Sequence, residues 1–521
     1  MVKEINLRVS PEEAATIEIL RKKICESEAI EPADLHDLRI VRRSIDARQR
    51  RVMVNLTVRF AFGDDYKVGM PAPVYEWRAV PPEAPRVVIV GAGPAGLFAA
   101  LQAIMLGWRP IVLERGFDVD TRRLDLARIS REKKINPSSN YCFGEGGAGA
   151  YSDGKLFTRS KKRGDVSEVL RLLVAHGASP DILIDAHPHI GSDKLPEVIK
   201  NIRNTIISCG GEVHFNALVT GLVINEGKVE GVRLEDDSES LGNAVVLATG
   251  HSAHDTFRLL AGQGIPMLAK GIAVGVRLEH PQELIDRLQY HSPEGRGKYL
   301  PAAEYSYVTQ VDGRGVYSFC MCPGGVVVPA GSTDGELVVN GMSASARAGR
   351  WANSGMVVEV RPGDFKEFAD YGPLEILEFQ EALEKSMFEA ADNSIIAPAQ
   401  RMKDFVDGKI SESLPGVSYA PGVRSKDFNE LLPPEISSRL RKGFIDFGRR
   451  SPGFLTNKAV MIGLESRTSS PIRIPRNRET FEAEGLPGLY PAGEGPGYAG
   501  GIVSAALDGM NCVRAAANKR I

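Results

Sequence analysis

The feature that most constrains this chain is a strand–turn–helix–strand pattern between residues 86 and 114. A short apolar run, Arg86–Val90, leads into the glycine turn GAGPAG at residues 91–96, and residues 97–106 have the composition of a helix. Arg109–Leu113 is typical of a second strand, and Glu114 follows it at the distance of about 20 residues that a dinucleotide-binding fingerprint requires. The pattern therefore predicts a Rossmann-type α/β unit that binds a dinucleotide. A glycine turn without a ligand is the alternative.

Each residue type in the turn has a physical reason. Gly91 permits the tight turn, Gly93 lets the backbone approach a pyrophosphate, and Gly96 lets the helix pack on the strand. Unpaired N–H groups at the start of the helix would face the phosphates. Glu114 is expected to accept hydrogen bonds from the ribose of the adenosine half.

Three later glycine segments bear on which dinucleotide is bound, because the first turn alone fits both NAD and FAD. Gly144–Gly149 is a second glycine cluster, and Ala248-Thr249-Gly250 closes a series of strand-like segments. Residues 492–495 and Gly500-Gly501 then precede a final helix. This set, in this order, resembles the FAD domain of flavoproteins similar to glutathione reductase.

That resemblance implies one non-covalently bound FAD. It places Glu494 at the ribityl chain or the phosphates, where Asp is more common, and it directs the helix after Gly501 at the flavin ring. The predicted cofactor-binding residues are Gly91, Gly93, Pro94, Ala95, Gly96, Glu114, Arg115, Gly146, Gly147, Ala148, Gly149, Thr249, Gly250, Gly493, Glu494, Gly500, Gly501 and Ile502.

Longer strings extend the resemblance over nearly the whole chain. They include RRSIDAR, YCFGEGGAGAYSDGKLFTR, AHPHIGSDKL, ATGHSAHDTF, FCMCPGG, GLESRTSSPIRI and YPAGEGPGYAGGI. With these strings the chain resembles the uncharacterised FAD-dependent dehydrogenases of bacteria. It departs from them at His254, where that family is expected to have Arg. The resemblance implies a fold and a cofactor but no substrate.

The predicted fold class is α/β: a Rossmann-like FAD-binding domain interrupted by a mixed α/β substrate domain, with a small α+β module in front. The expected divisions are 1–62 for the module, 63–85 for a proline-rich linker, 86–264 and 451–521 for the two parts of the FAD domain, and 265–450 for the substrate or cap domain. The linker is predicted because five prolines resist both helix and sheet.

Bulk properties narrow the function class. The formal net charge is −2, which disfavours a nucleic-acid binder, and the six cysteines show no CxxC spacing, which favours free thiols in a reducing compartment. Without an apolar leader or a run long enough for a membrane span, the chain is expected to be cytoplasmic. No metal site is predicted, and the partner of the N-terminal module stays open.

Candidates for chemistry are Lys155, His251 and Arg467. Lys155 could stabilise negative charge on a reduced ring or a substrate, His251 follows a turn expected near the flavin, and Arg467 could clamp an anionic substrate. Ordinary loop contacts are the alternative for each. Cys320 and Cys322 form a CxC pair that is interpreted as small pocket-lining side chains, with a redox pair as the alternative.

The predicted function is an FAD-dependent oxidoreductase that transfers a hydride between flavin N5 and a small molecule. No second dinucleotide turn follows residue 114, so NAD(P)H, if it is the donor, would dock directly against the flavin. The alternatives are a flavoprotein that acts on RNA, as in tRNA modification, and a non-enzymatic flavin redox sensor.

Overall fold

The computed structural model describes residues 1–64, 66–68, 75–158 and 163–519. Its strands are, in chain order, Val2–Val9 (β1), Leu35–Asp46 (β2), Met53–Phe62 (β3), Arg86–Val90 (β4), Arg109–Leu113 (β5), Glu212–His214 (β6), Val219–Asn225 (β7), Lys228–Leu234 (β8), Glu239–Leu241 (β9), Ala244–Leu247 (β10), Leu268–Ala269 (β11), Ile272–Pro281 (β12), Val308–Val311 (β13), Arg314–Pro329 (β14), Val339–Met342 (β15), Trp351–Val360 (β16), Ala397–Arg401 (β17), Val423–Ser425 (β18), Val460–Glu465 (β19), Ile472–Arg473 (β20) and Leu489–Pro491 (β21).

The helices connect and cover these strands. The α-helices are Pro11–Ala15 (α1), Ile17–Glu28 (α2), Pro94–Met105 (α3), Val119–Glu132 (α4), Val166–Ala175 (α5), Leu195–Ser208 (α6), His254–Gly262 (α7), Gln282–Tyr290 (α8), Glu375–Ala390 (α9), Met402–Asp407 (α10), Phe428–Leu431 (α11), Pro434–Arg450 (α12) and Ile502–Asn518 (α13). Short 3₁₀ turns occur at Gly147–Gly149, Pro180–Leu183 and Lys366–Leu374. Among the residues just described, no helix is both long and apolar enough to cross a membrane.

The N-terminal unit is an antiparallel sheet of order β1-β3-β2 with α1 and α2 beside it. Ser10 caps α1 in a reciprocal capping box: the Ser10 hydroxyl accepts from the Glu13 N–H at 3.3 Å, and the Glu13 carboxylate accepts from the Ser10 N–H at 2.7 Å. Leu20 and Ile24 of α2 are fully buried in this unit's own core. In the sequence, Ser10-Pro11-Glu12-Glu13 predicts a helix start with Ser at the N-cap, Pro at the first position and acids in the first turn, and the structure confirms it.

A five-stranded parallel sheet of order β21-β10-β4-β5-β6 forms the nucleotide-binding half. Its inner strands are buried apolar runs, as parallel sheets covered on both faces require. Helices α3 and α13 share one core on this sheet, with Phe98 and Leu507 buried in it. The first strand–turn–helix–strand unit therefore has the arrangement that the sequence predicts, and the mixed α/β class is confirmed.

A larger sheet follows the order β13-β14-β16-β12-β19-β17-β18, with β15 paired to β14. Apart from the parallel β17–β18 pair, its neighbours are antiparallel. Phe379 of α9 and Phe444 of α12 contribute to the core beside it. Strand β19, which pairs with β12 and β17, lies after residue 450. The larger sheet therefore includes a strand from the segment that the sequence analysis assigns to the FAD domain. The five-part domain division stays a prediction.

One local prediction differs from the structure, one strand was missed, and one prediction is only partly covered by the described residues. Ser192-Asp193 is a sequence pattern that predicts the cap of a helix, but the helix begins at Leu195, with Lys194 at the N-cap and no capping side chain. The Asp193 carboxylate accepts instead from the N–H and hydroxyl of Ser345, at 2.6 and 2.8 Å, so a distant partner replaces the local cap. The strand β9 was not predicted. Part of the proline-rich linker, including Pro71 and Pro73, lies outside the described residues.

Candidate functional site

The candidate site is a cavity at the carboxyl ends of β4, β5 and β10, where ligands bind in open α/β sheets. Segments that are far apart in the sequence meet around it: the first glycine turn, the second glycine cluster, the turn after β10 and the start of α13. The larger sheet contributes Phe319, Cys320 and Asn340 to the opposite wall. Predicted residues that line the cavity are Gly91, Gly93, Pro94, Ala95, Glu114, Arg115, Gly147, Ala148, Gly149, Lys155, Thr249, Gly250, His251, Arg467, Glu494, Gly501 and Ile502.

The first turn brings backbone close to backbone. Gly91 has φ +104°, and a Cβ there would lie 2.5 Å from the carbonyl oxygen of Ala248. Helix α3 then begins at Pro94, with Gly93 at the N-cap and no capping side chain. Pro at this first position removes an N–H that has no partner within the helix, while the remaining free N–H groups and the positive end of the helix dipole face the cavity.

Glu114 holds this wall together. Its carboxylate accepts from three backbone N–H groups: Ala92 at 2.9 Å, Gly116 at 2.9 Å and Gly144 at 3.0 Å. Glu114 therefore ties the first glycine turn to the second cluster, a role that the sequence analysis did not foresee. It also lines the cavity, so the predicted ribose contact stays a prediction.

The second glycine cluster is shaped by Arg122, which the sequence analysis missed. Arg122 is fully buried in α4. Its guanidinium donates to the backbone carbonyls of Asn140, Tyr141, Gly144, Glu145 and Gly147, at 2.8 to 3.2 Å. One side chain thus satisfies five carbonyls of an irregular loop. No local sequence signal marks an arginine whose partners lie about 20 residues away.

The turn after β10 carries Thr249 and His251. The Thr249 hydroxyl oxygen is buried and has no hydrogen-bond partner among the described atoms. His251 Nδ1 lies 2.8 Å from the Ser252 hydroxyl. Burial, together with the charges of Arg467, His254 and Lys270, lowers the pKa of His251 to about 3. His251 is therefore a neutral imidazole at physiological pH, which can donate or accept a hydrogen bond but carries no charge.

The C-terminal wall combines Glu494 with the start of α13. Gly501, at φ +86°, is the N-cap of α13, and no described side chain caps it. Burial raises the pKa of Glu494 to about 7, although the nearby Lys270 opposes the rise. Asp508 accepts from the Gly493 N–H at 2.8 Å and pairs with Arg476 at 2.6 Å, so a second residue missed by the sequence analysis fixes this turn.

Four predicted glycines do not line the cavity, and three of them allow close packing behind it. A Cβ on Gly96 would lie 1.9 Å from the Gly91 carbonyl oxygen, and one on Gly146 would lie 2.4 Å from Ile199 Cδ1. A Cβ on Gly493 would lie 2.9 Å from Ala95 Cβ, and Gly500 is exposed beside Glu494. Their expected direct contact with the cofactor is not apparent in the lining of the cavity.

Lys155 and Arg115, two charged residues predicted for the site, both form hydrogen bonds or ion pairs with other groups of the protein. Lys155 Nζ donates to the backbone carbonyl of Met321 and lies 3.9 Å from the carboxylate of Asp153. Asp153 is in turn paired with Arg347, whose Nε donates to it at 2.9 Å. Arg115 pairs with Asp255 at 2.8 Å at the edge of the cavity. Of these charges, Lys155 lies at the wall that the larger sheet contributes.

Arg467, predicted either to clamp an anionic substrate or to make ordinary loop contacts, is surrounded by partners from the protein itself. It lines the cavity but is only 5% exposed. Its guanidinium donates to Glu384 at 2.7 and 3.1 Å, to Glu336 at 2.6 Å and to the Ser332 hydroxyl at 2.7 Å. Because two carboxylates already balance its charge, the structure favours bracing of the cavity wall over capture of an anionic substrate. These partners lie in other elements, so the sequence could not reveal them.

His254, Glu336 and Glu381 each place one potential metal-ligating atom within 4.8 Å of the others. Arg467 pairs with Glu336 at 2.6 Å, and Arg258 pairs with Glu381 at 2.6 Å. A cation at this point would compete with two guanidinium groups. The group is therefore explained by ion pairing.

The cavity fits a dinucleotide on its own geometry. Two helices, α3 and α13, open into it with uncapped N-termini, and the glycine turns provide close backbone approach. The buried Thr249 hydroxyl without a partner marks a place where a ligand would supply the missing hydrogen bond.

Comparison with known proteins gives an independent result. Residues 271–468 match a family described as "FAD-dependent protein, C-terminal domain-like", and residues 1–61 match a domain of unknown function. An uncharacterized protein of Clostridium beijerinckii is 40% identical over 532 residues, which covers 98% of this chain and 97% of that protein. FAD is thus the cofactor of this chain, as the glycine segments predict.

Solved structures with partial similarity include FqzB and CtdE. FqzB is 14% identical with a TM-score of 0.35, covering 84% of this chain and 76% of its own. CtdE, solved in complex with FAD, is 12% identical with a TM-score of 0.32, covering 84% of this chain and 89% of its own.

Proposed function

This chain belongs to the same family as the uncharacterized Clostridium beijerinckii protein, and on that premise we propose that it is an FAD-dependent oxidoreductase acting on a small molecule in the cavity between its two main sheets. The observation that carries the proposal is the cavity itself. Its one side is built from glycine turns and helix N-termini, and its other side from Phe319, Cys320 and Asn340 of the larger sheet. The first side suits a dinucleotide and leaves the second for a substrate.

When bound, FAD would supply the redox chemistry, which we propose is hydride transfer to or from a small molecule. The uncapped starts of α3 and α13 would bind its negative charges. Thr249 would receive its missing hydrogen-bond partner. Lys155 would stabilise negative charge on the side of the larger sheet, and His251, as a neutral imidazole, would orient a substrate by hydrogen bonding.

The electron donor we propose is NAD(P)H or a reduced small molecule that enters the same cavity. The described residues form one parallel sheet of the nucleotide-binding type, and its nucleotide turn is already assigned to FAD. A nicotinamide nucleotide would therefore need to dock against the flavin ring.

The test is a spectrum of the purified protein followed by anaerobic titration with NADH and NADPH. We expect flavin absorbance in the pure protein and loss of that absorbance with one of the donors. A colourless, folded protein that does not take up added FAD would refute the cofactor assignment. A bound flavin that neither the nicotinamides nor a metabolite panel can reduce would refute the proposal of an enzyme and favour a redox sensor. A gel shift with bulk RNA is the separate test of an RNA substrate.

A further inference from the structure

Strand β14 is irregular where it passes the cavity, at Cys320 and Cys322. Its pairing with β16 shifts register twice, between Phe319 and Cys322 and again between Cys322 and Gly325. Cys320 has φ +46°, a left-handed conformation that non-glycine residues rarely adopt. Backbone strain of this kind recurs at functional sites, and bulges re-aim side chains beside active sites.

The two thiols lie among buried cations. Arg277 is fully buried, and its guanidinium donates to the Cys322 sulfur at 3.3 Å and to the Cys320 carbonyl at 2.6 Å. Lys155 donates to the carbonyl of Met321, between the two cysteines. The carboxylate of Glu465 lies 3.2 Å from Arg277, and burial raises the pKa of this carboxyl to about 7. Positive charge buried beside the two sulfurs favours a thiolate on one of them.

The two sulfurs are not equivalent. Cys320 lines the cavity, whereas Cys322 is fully buried behind it. The nearby Cys322 thiol, together with the charges of Arg277 and Lys155, holds the pKa of Cys320 below its usual range, and the Cys322 thiol itself donates to the Cys320 carbonyl at 3.4 Å. The same neighbour and burial raise the pKa of Cys322. The arrangement therefore pairs an accessible thiolate with a buried, protonated thiol.

We propose that Cys320 and Cys322 form a reversible redox pair that exchanges two electrons with the flavin bound in the same cavity. The proposal rests on the proposed function, because FAD is the electron partner. In the oxidative direction an S–S bond forms between the two cysteines, the S–H bond of Cys322 breaks, and two electrons and that proton pass to the oxidised flavin. The reverse step restores one thiolate, one thiol and the oxidised flavin.

This pair points to small dithiols and disulfides as the substrate class. Cys320 is the sulfur that an entering molecule can reach, so thiol–disulfide exchange would begin there and Cys322 would resolve the mixed disulfide. The pocket-lining interpretation of the sequence analysis, with two small apolar side chains, does not account for the buried Arg277 or for the left-handed Cys320.

The experiment uses the FAD-bound full chain, its Cys320→Ser and Cys322→Ser variants, and Cys209→Ala as a control with a buried thiol outside the cavity. The tryptic peptide 315–347 contains both cysteines and no others. After oxidation in air, denaturation and alkylation, we expect this peptide without label and two hydrogen masses lighter than the dithiol form. Anaerobic reduction with dithionite should consume two electron pairs per FAD in wild type and in Cys209→Ala, but one in either serine variant.

A second readout uses dithiothreitol as the reducing substrate under nitrogen. We expect it to bleach the flavin at least roughly tenfold faster in wild type and Cys209→Ala than in either serine variant, because exchange at Cys320 is the rapid route. Two alkylated cysteines in the oxidised, flavin-containing protein, with equal bleaching in all variants, would overturn the proposal. Absence of bound FAD would instead refute the proposed function, while the peptide mass in a thiol redox buffer would still report whether the disulfide forms.

Discussion

Gly91 is the residue at which the first turn leaves no room for a side chain. We predict that Gly91→Ala lowers stability by about 1–3 kcal/mol and releases FAD, because the new Cβ would clash with the Ala248 carbonyl in a left-handed backbone. Urea unfolding and flavin retention on gel filtration measure the two effects. Gly107→Ala is the matched control, since Gly107 also has a positive φ, +73°, but nothing lies within 4 Å of its Cβ position.

This control separates the cost of the positive backbone angle from the cost of the clash with Ala248. Gly107→Ala should lose roughly 1 kcal/mol, the cost of the backbone angle alone, and keep its flavin. If both variants retained FAD equally, the close approach of Gly91 to the turn after β10 would not matter for binding.

Glu494 lines the cavity, and we expect its carboxyl to make FAD binding depend on pH. Its pKa is raised to about 7, so the carboxyl is mainly neutral below that pH and becomes an anion above it. Because the FAD diphosphate is also negative, we predict that FAD affinity falls roughly tenfold between about pH 6 and about pH 8. Fluorescence titration of FAD into FAD-stripped protein measures this.

Two matched variants test whether Glu494 causes the fall in FAD affinity with rising pH. Glu494→Gln keeps a neutral side chain at every pH and should lose most of the dependence, whereas the exposed Glu484→Gln should keep it. A wild-type affinity that rises with pH, or a Gln variant with the wild-type profile, would show that another group controls the binding.

Residues whose structural role depends on nearby positions in the chain could be predicted from the sequence. The Gly91 turn, the Ser10 cap and the Gly501 helix start all follow from neighbours within a few positions. The ion pairs of Arg467 could not be predicted, because its carboxylate partners lie more than 80 positions away in the sequence. The same holds for the cations around the two cysteines.

At the scale of elements, the second glycine cluster depends on helix α4. Arg122 of this helix donates to five backbone carbonyls of the loop. The helix itself begins after Asp118, whose side chain caps it locally. The glycine cluster was recognisable from sequence, but its shape was not, because no pattern links an arginine to an irregular backbone. Strand β14 is a second case, because its two register shifts depend on the pairing with β16, which no local residue pattern indicates.

We predict that Arg122→Met destabilises the protein by about 3–5 kcal/mol and releases FAD, because five buried carbonyls lose their donor. Limited proteolysis should then cut between residues 139 and 158. The exposed neighbour Arg123→Met is the control and should behave as wild type. A stable, flavin-bound Arg122→Met protein would mean that the loop holds its shape without the guanidinium.

At the scale of the whole molecule, the cavity is made by convergence of distant segments, and the N-terminal unit takes no part in its lining. That unit docks elsewhere: the Arg43 N–H donates to the Ile184 carbonyl at 2.8 Å, and the Ala186 N–H donates to the Arg43 carbonyl at 2.9 Å. Arg43 also pairs with Asp185 at 2.7 Å and lies 3.7 Å from Asp181. The sequence indicated a separate module but gave no sign of where it docks.

We predict that weakening the contact between the N-terminal unit and the rest of the chain lowers stability without releasing FAD. Arg43→Asp should lower stability by about 1–2 kcal/mol, because a carboxylate then faces Asp185 and Asp181, yet FAD should stay bound. The exchange Arg43→Asp with Asp185→Arg should recover part of the loss, since the pair is restored with its charges reversed. Thermal unfolding and flavin absorbance follow both quantities in one sample. Release of FAD by Arg43→Asp, at a temperature where the chain stays folded, would show that the N-terminal unit supports the cavity after all.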